Sequence, residues 1–241
     1  MLDGVYRERA ARLAVLGGAK VWVSVLPRAK RVLPDGCMDL LWDGAGLRVA
    51  GPDTRAFVTG GSGEGATRVA GVRLAPGVGP VAFGVPADEL TDQGADLDVL
   101  LPSRRVRELA ARVGEAEAVG DADVAAALES VAAGLLGGSA APPGAWLGTA
   151  VAALDGRHGV AATARLLGWS ERQFRRRSVA AFGYGPKTLG RVLRLQRAVR
   201  LADEPAAVVA VRAGYADQAH MAREVRDLTG VPWTELRAGF G

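Results

Sequence analysis

The stretch Ala164-Arg165-Leu166-Leu167-Gly168-Trp169-Ser170-Glu171-Arg172-Gln173-Phe174 decides how the last third of the chain is read. A small alanine stands four residues before a glycine that can take the left-handed conformation ending a helix. Ser170 then offers an N-cap oxygen, and Gln173, three residues on, completes a Ser-x-x-Gln capping box. The helix so begun runs to about Phe182, stops at Gly183 and is followed by Pro186. The pattern is helix, tight turn, helix, with the alanine permitting a close crossing.

Working outward, the unit recurs. Ala210-Val211-Arg212-Ala213-Gly214-Tyr215 repeats the alanine, the glycine and the following aromatic 46 residues downstream. Asp217 can cap the next helix, which ends at Gly230 with Pro232 beyond it. Between the two units, residues 187–202 carry Leu189, Val192, Leu195 and Val199 on one broad apolar face, the mark of a connecting helix. Within the second helices (about 171–182 and 218–229), Phe174, Ala181, Phe182 and Met221 face inward. Arg172, Arg175 and Arg176 form an outer stripe, as do Gln218, His220 and Arg223. Arginine can bond O6 and N7 of guanine together, and glutamine can pair bidentately with adenine. Such stripes suit helices entering a major groove. Arg177 points to the side, towards phosphate or solvent, and His158 reads as a surface residue. Arg191, Arg194, Arg197 and Arg200 wind around the connecting helix and read mainly as ion-pair positions.

Charge separates the same region. The 241 residues hold 27 Arg and 3 Lys; residues 1–143 carry 15 basic and 18 acidic side chains, residues 144–241 carry 15 and 8. A basic third on an acidic body points to a polyanionic partner for that third. Apolar residues at 49 % suffice for a packed core, and no apolar run approaches the ~20 residues of a membrane span. The start Met1-Leu2-Asp3-Gly4-Val5-Tyr6-Arg7-Glu8-Arg9 lacks a signal-peptide pattern, so a soluble cytoplasmic protein is expected. The single Cys37 excludes an internal disulfide and a Cys-based zinc knuckle, and His158 and His220 lie too far apart in sequence to suggest a metal site. There is no Gly-rich phosphate loop and no nucleophile elbow, so no cofactor and no enzyme activity are expected.

The segment Gly137-Gly138-Ser139-Ala140-Ala141-Pro142-Pro143-Gly144 reads as a linker. It divides the chain into 1–138, a linker at 139–145, and 146–241. Upstream, Val21, Val23 and Val25 alternate with Lys20, Trp22 and Ser24, and Ala70, Val72 and Leu74 alternate likewise, as in half-buried strands. Apolar runs at 38–42 and 46–50 flank the turn signal Asp43-Gly44; Asp35-Gly36 and Gly60-Gly61 punctuate similarly. After Pro86 the pattern turns helical. Ser103 can cap a helix bearing Val106, Leu109, Ala110 and Val113, and Val124, Leu128, Val131 and Leu135 mark another. The expected fold is an α+β N-terminal domain, a small antiparallel sheet or barrel with helices, followed by an all-α C-terminal domain of two helix-turn-helix units.

Residues 146–240 resemble the DNA-binding domain of AraC/XylS-type transcription regulators. The resemblance is carried by Leu167-Gly168-Trp169-Ser170-Glu171-Arg172-Gln173-Phe174-Arg175-Arg176-Arg177, Gly185-Pro186-Lys187, Arg194-Leu195-Gln196-Arg197-Ala198 and Ala213-Gly214-Tyr215-Ala216-Asp217-Gln218-Ala219-His220-Met221-Ala222-Arg223-Glu224. It implies two recognition helices in successive major grooves, with Arg172, Arg175, Arg176, Gln218, His220 and Arg223 at base-contacting positions. Ser178 and Val225 depart from it, standing where the family usually buries a phenylalanine. The N-terminal part resembles an uncharacterised domain attached to some AraC-like regulators, through Leu33-Pro34-Asp35-Gly36-Cys37-Met38-Asp39-Leu40-Leu41-Trp42, Gly51-Pro52-Asp53-Thr54 and Gly71-Val72-Arg73-Leu74-Ala75-Pro76-Gly77. This implies an effector-sensing or dimerisation module. Trp22, Cys37, Asp39, Trp42 and Arg73 are its candidate pocket residues, against the simpler reading that the tryptophans and Cys37 are core. The expected partner is double-stranded DNA; a small-molecule effector, RNA polymerase and a second copy of the chain are further partners this reading admits. Two other readings stand beside it: a non-specific nucleic-acid-binding or protein-interaction module, and an N-terminal enzyme domain fused to a DNA-binding one.

Overall fold

The computed structural model describes residues 6–26, 30–59 and 67–239. Gly60-Gly61 lies outside the described residues. The N-terminal strands are β1 (Tyr6–Ala10), β2 (Lys20–Leu26), β3 (Lys30–Val32), β4 (Asp39–Trp42), β5 (Leu47–Ala50), β6 (Phe57–Thr59), β7 (Thr67–Arg73) and β8 (Gly94–Asp96). Six of them form an antiparallel sheet in the order β1-β2-β7-β4-β5-β8, and β3 pairs with β6. The Asp43-Gly44 signal makes the β4–β5 hairpin: Gly44 sits at φ +88°, and Asp43 Oδ1 accepts from the N–H groups of Ala45 and Gly46 at 3.0 Å.

Alternation gives the sheet two unlike faces. Val21, Val23, Leu40, Trp42, Leu47, Val49, Ala70 and Val72 are buried on one. That face is covered by α1 (Gly79–Phe83), α3 (Ser103–Val119) and α4 (Asp121–Gly137), with α2 (Leu97–Leu100) beside β8. Val106, Val113, Val124, Leu128, Val131 and Leu135 supply the helical side of this core. Ser103 is not the cap expected of it; it is the first residue of α3, behind Pro102, and makes no capping hydrogen bond. Removing a side chain such as Leu40, fully buried at the sheet centre, costs about 2–5 kcal/mol in settings of this kind. Glu129 of α4 is buried yet ionised in character. Burial alone would raise its carboxyl, but the Leu13 N–H, the Arg9 guanidinium at 2.7 Å and the Arg12 N–H hold it below the usual range.

Helix α4 ends at Gly137 and the next helix, α5 (Trp146–Asp155), begins nine residues later. Beyond it come α6 (Val160–Leu166), α7 (Glu171–Phe182), α8 (Pro186–Arg200), α9 (Ala206–Ala213), α10 (Gln218–Thr229) and α11 (Trp233–Ala238). Two apolar clusters hold them. Leu147, Leu154, Phe174, Phe182, Leu189 and Val192 tie α5, α6 and α7 to the first half of α8. Leu195, Val209, Met221, Val225, Leu228 and Trp233 tie α9, α10 and α11 to its second half. The chain is therefore an N-terminal antiparallel sheet region followed by a helical C-terminal region, with α8 as the shared rod. Among the described residues, no helix is long and apolar enough to cross a membrane.

Candidate nucleic-acid interface

Each bihelical unit closes on the same hydrogen bond. The Trp169 N–H donates to the Ala164 carbonyl and the Tyr215 N–H to the Ala210 carbonyl, both at 2.9 Å, around Gly168 at φ +70° and Gly214 at φ +91°. Ala164 and Ala210 are almost wholly buried at the crossings, where a larger side chain would hold the helices apart. Helices α7 and α10 are both 12 residues long and both end on a left-handed glycine, Gly183 or Gly230.

The N-terminus of α7 carries the expected box. The Gln173 N–H donates to Ser170 Oγ at 3.3 Å, and the Ser170 N–H donates to Gln173 Oε1 at 2.9 Å. Such a cap contributes about 1 kcal/mol and occupies Gln173. Phe174 and Phe182 are fully buried, and Trp146 meets both Trp169 and Phe182 edge-on. This fixes the roll of α7, so Arg172, Arg175 and Arg176 face solvent. Arg177 is also exposed and stacks over the Trp169 ring at 4.5 Å.

On α10, Met221 and Val225 are buried, leaving Gln218 and Arg223 exposed. Arg226, one turn beyond Arg223, is exposed too; its i+3 spacing is the signal that places it on the same side. His220 departs from the expectation that it lies outward for a base. Its ring packs edge-on against Tyr215, Nδ1 accepts from the Ala216 N–H at 3.2 Å, and Nε2 lies 3.7 Å from Glu224. The ring is thus turned back on its own turn, while Asp217 separately caps the His220 N–H at 2.6 Å. Ser178 and Val225, where the family resemblance leads one to expect a phenylalanine, are both fully buried, and among the described residues Ser178 Oγ has no hydrogen-bond partner.

The arginines divide into two populations. Those of α8 are engaged: Arg191 and Arg194 meet Glu224 at 3.1 and 3.2 Å, and Arg197 and Arg200 meet Asp155 at 3.3 and 3.8 Å. Among the described residues, Arg172, Arg175, Arg176 and Arg223 have no carboxylate within 4.0 Å. Their charge is uncompensated locally, which suits contact with an anion.

The five N-terminal pocket candidates separate. Trp22, Cys37, Asp39 and Arg73 come together on the second face of the sheet. Trp22 Nε1 donates to Asp39 Oδ1 at 3.0 Å, and Arg73 Nε lies 3.0 Å from Asp35 and 3.5 Å from Asp39. Burial works against the Arg73 charge, but Asp39 and Asp35 hold its pKa above the ordinary value. Burial, then Asp35 and Asp39, pushes the Cys37 thiol well up, so it is a neutral thiol. Trp42 does not join them. It alternates to the opposite face, is buried under α3, and donates from Nε1 to Glu117 at 2.7 Å. An open, mostly apolar cleft of about 590 Å³, absent from the sequence reading, runs between α1, the linker and Ala180 of α7.

Two family models match the chain: a helix-turn-helix domain over residues 163–239 and a domain of unknown function (DUF6597) over residues 19–96. No curated protein sequence matches it. Among solved structures, unsaturated fatty acid-bound wild-type ToxT from Vibrio cholerae superposes with a TM-score of 0.52 at 10 % identity, covering 91 % of this chain and 94 % of that one. A P21 form of ToxT gives 0.52 at 9 %, covering 91 % and 97 %. ToxT bound to (E)-4-(8-methylnaphthalen-1-yl)but-3-enoic acid gives 0.51 at 10 %, covering 91 % and 98 %. At such identities the likeness is one of fold. The chain therefore carries a helix-turn-helix domain over residues 163–239, behind a DUF6597 domain over residues 19–96.

Proposed function

We propose that this chain is a sequence-specific DNA-binding transcription regulator in which α7 and α10 read adjacent major grooves. One observation carries the reading: the arginines of α8 are ion-paired, whereas Arg172, Arg175, Arg176 and Arg223 stand exposed and unpaired on the two second helices. Phosphate contacts supply affinity, and the base edges reached from these helices supply specificity. Arg176 and Arg223 read guanine, Gln218 reads adenine, and Arg172 and Arg175 share base and backbone contacts. His220 acts by holding the first turn of α10.

Residues 1–138 form the modulating domain of this proposal and 146–241 the DNA-binding domain, joined through 139–145. A small-molecule effector would meet Trp22, Asp39 and Arg73, with Cys37 as a neutral neighbour. The acids bound in the ToxT structures put carboxylic acids first in a thermal-shift screen. Selection of bound duplexes from a random pool tests the main claim. A bipartite site with its halves about one helical turn apart is expected. A second copy of the chain would show as an inverted repeat of that site. Random duplexes bound as tightly as any selected one at ~0.15 M salt would replace the proposal with non-specific binding.

A further inference from the structure

The outward faces of α7 and α10 belong to the proposed DNA contact, but their C-terminal ends belong to another surface. The last carbonyls of a helix have no partner within it and take donors from elsewhere. In α7, Gly183 N–H closes on the Val179 carbonyl at 2.9 Å, and the Gly183 carbonyl accepts from Thr91 Oγ1 at 3.0 Å. In α10, Gly230 N–H closes on the Arg226 carbonyl at 2.8 Å. The Leu228 carbonyl then accepts from the Ala56 N–H at 2.7 Å and the Thr229 carbonyl from Arg31 Nη1 at 2.7 Å. Thr91, Ala56 and Arg31 all lie in the N-terminal domain. Arg31 also brings a positive charge to the negative end of the α10 dipole.

Packing reinforces the anchor on α7. The 3-10 helix Ala87–Leu90 lies against α7. A Cβ on Gly183 would meet Pro52 Cγ and Thr91 Oγ1 at 2.5 Å, so the domain is seated as closely as a glycine allows. The α8 rod is held midway, where Gln196 Nε2 donates to the Pro34 carbonyl at 2.8 Å.

Within the helical region, the two bihelical units meet through α8, through Asp155 of α5 on Arg197 and Arg200, and through Arg157, which packs over Gly214. Two separate apolar clusters pack on opposite halves of one rod, so the angle between the reading helices depends on contacts outside those clusters as well. The N-terminal domain reaches both units and holds each reading helix at its C-terminal end. We infer that Arg31 and Thr91 are positioning residues for DNA reading, setting the angle between α7 and α10 and hence the one half-site spacing the protein accepts. This rests on the DNA-reading function proposed above. The N-terminal domain then acts as a gauge for the operator without touching DNA.

The test compares duplexes carrying the selected site with its halves moved apart or together by one and two base pairs. Each added pair shifts a half-site by about 3.4 Å and turns it by about a tenth of a helical turn. Wild type is expected to lose about 10-fold or more in affinity per displaced pair. Arg31→Ala and Thr91→Val, and more so the double variant, are expected to lose no more than about 3-fold on the same duplexes while keeping the wild-type base preference in each half. Arg31→Lys keeps a charged donor and is expected to restore the strict spacing. Thermal melting of each variant shows that it is folded. Strict spacing retained in the double variant, or an equal loss on every duplex, overturns the inference while leaving the DNA-reading function intact. Failure of wild type to select any bipartite site overturns that function, and the inference with it.

Discussion

Arg191 Nε of the connecting helix lies 3.1 Å from Glu224 Oε2 of α10, and the carboxylate that receives it is almost entirely out of water. Arg194 takes the second oxygen at 3.2 Å. Arg223, the residue before Glu224, faces solvent with no ion-pair partner among the described residues. Adjacent positions on one helix thus carry a structural ion pair and, among the described residues, an unpaired guanidinium. Glu224→Ala leaves two partly buried guanidinium groups without their anion, and loss of about 3 kcal/mol of stability is expected. Urea denaturation measures it. A loss below about 0.5 kcal/mol, the level of a surface pair, would contradict the assignment.

His220→Ala separates the two roles proposed for that residue. With its ring turned onto Ala216 and Tyr215, the substitution is expected to lower stability by about 0.5–1.5 kcal/mol and leave base preference unchanged. Altered preference at one base position in a duplex selection would return His220 to the reading face.

Ser178 buries a hydroxyl that has no partner among the described residues, where α7 packs inward. Ser178→Ala removes the desolvated group at little cost in volume, so a gain of about 1 kcal/mol is expected in the same denaturation experiment. Destabilisation would mean that the hydroxyl is satisfied in solution.

Asp53 gives the fold a pH dependence. Burial first, then Asp92, Asp35 and Asp39, raises its pKa to about 7, against the pull of Arg73. In the unfolded chain the group titrates near ~3.9, so the folded state binds the extra proton in between. Stability attributable to this group therefore falls as pH rises from about 4 to about 7 and is level above that. Asp53→Asn is expected to be the more stable protein by about 1–2 kcal/mol at pH 8, allowing for solvent screening, and equal to wild type near pH 4. A pH-independent difference would contradict this account.

The parts legible in the sequence are those built from neighbours. The Ser170–Gln173 box, the two glycine turns and the period of Phe174, Phe182, Met221 and Val225 are local, and the helices follow them. The alternation of Val21 and Val23, and the Asp43-Gly44 turn, likewise lie within a few residues. Strand β1, Tyr-Arg-Glu-Arg-Ala, carries no apolar alternation because it is a sheet edge; its partner β2 is what makes it a strand. Strand β8, Gly-Ala-Asp, depends in the same way on β5. The packing of the His220 ring on Tyr215 is not legible from helical spacing, which ignores the aromatic in the preceding turn. Composition groups Trp42 with Trp22, but strand alternation places Trp42 with Leu40, away from Asp39. Arg31 and Thr229 stand 198 positions apart in the chain, and no local pattern relates them.

The central claim is that the exposed guanidinium groups of α7 and α10 read bases. Equilibrium binding of Arg176→Ala and Arg223→Ala to the selected duplex, and to copies altered at each base pair, tests it most directly. Each variant is expected to lose about 1–3 kcal/mol on the intact site and to become indifferent to the base at one position, in opposite halves of the site. If both variants bind the site and all its altered copies as wild type does, the two helices do not read DNA and the account fails.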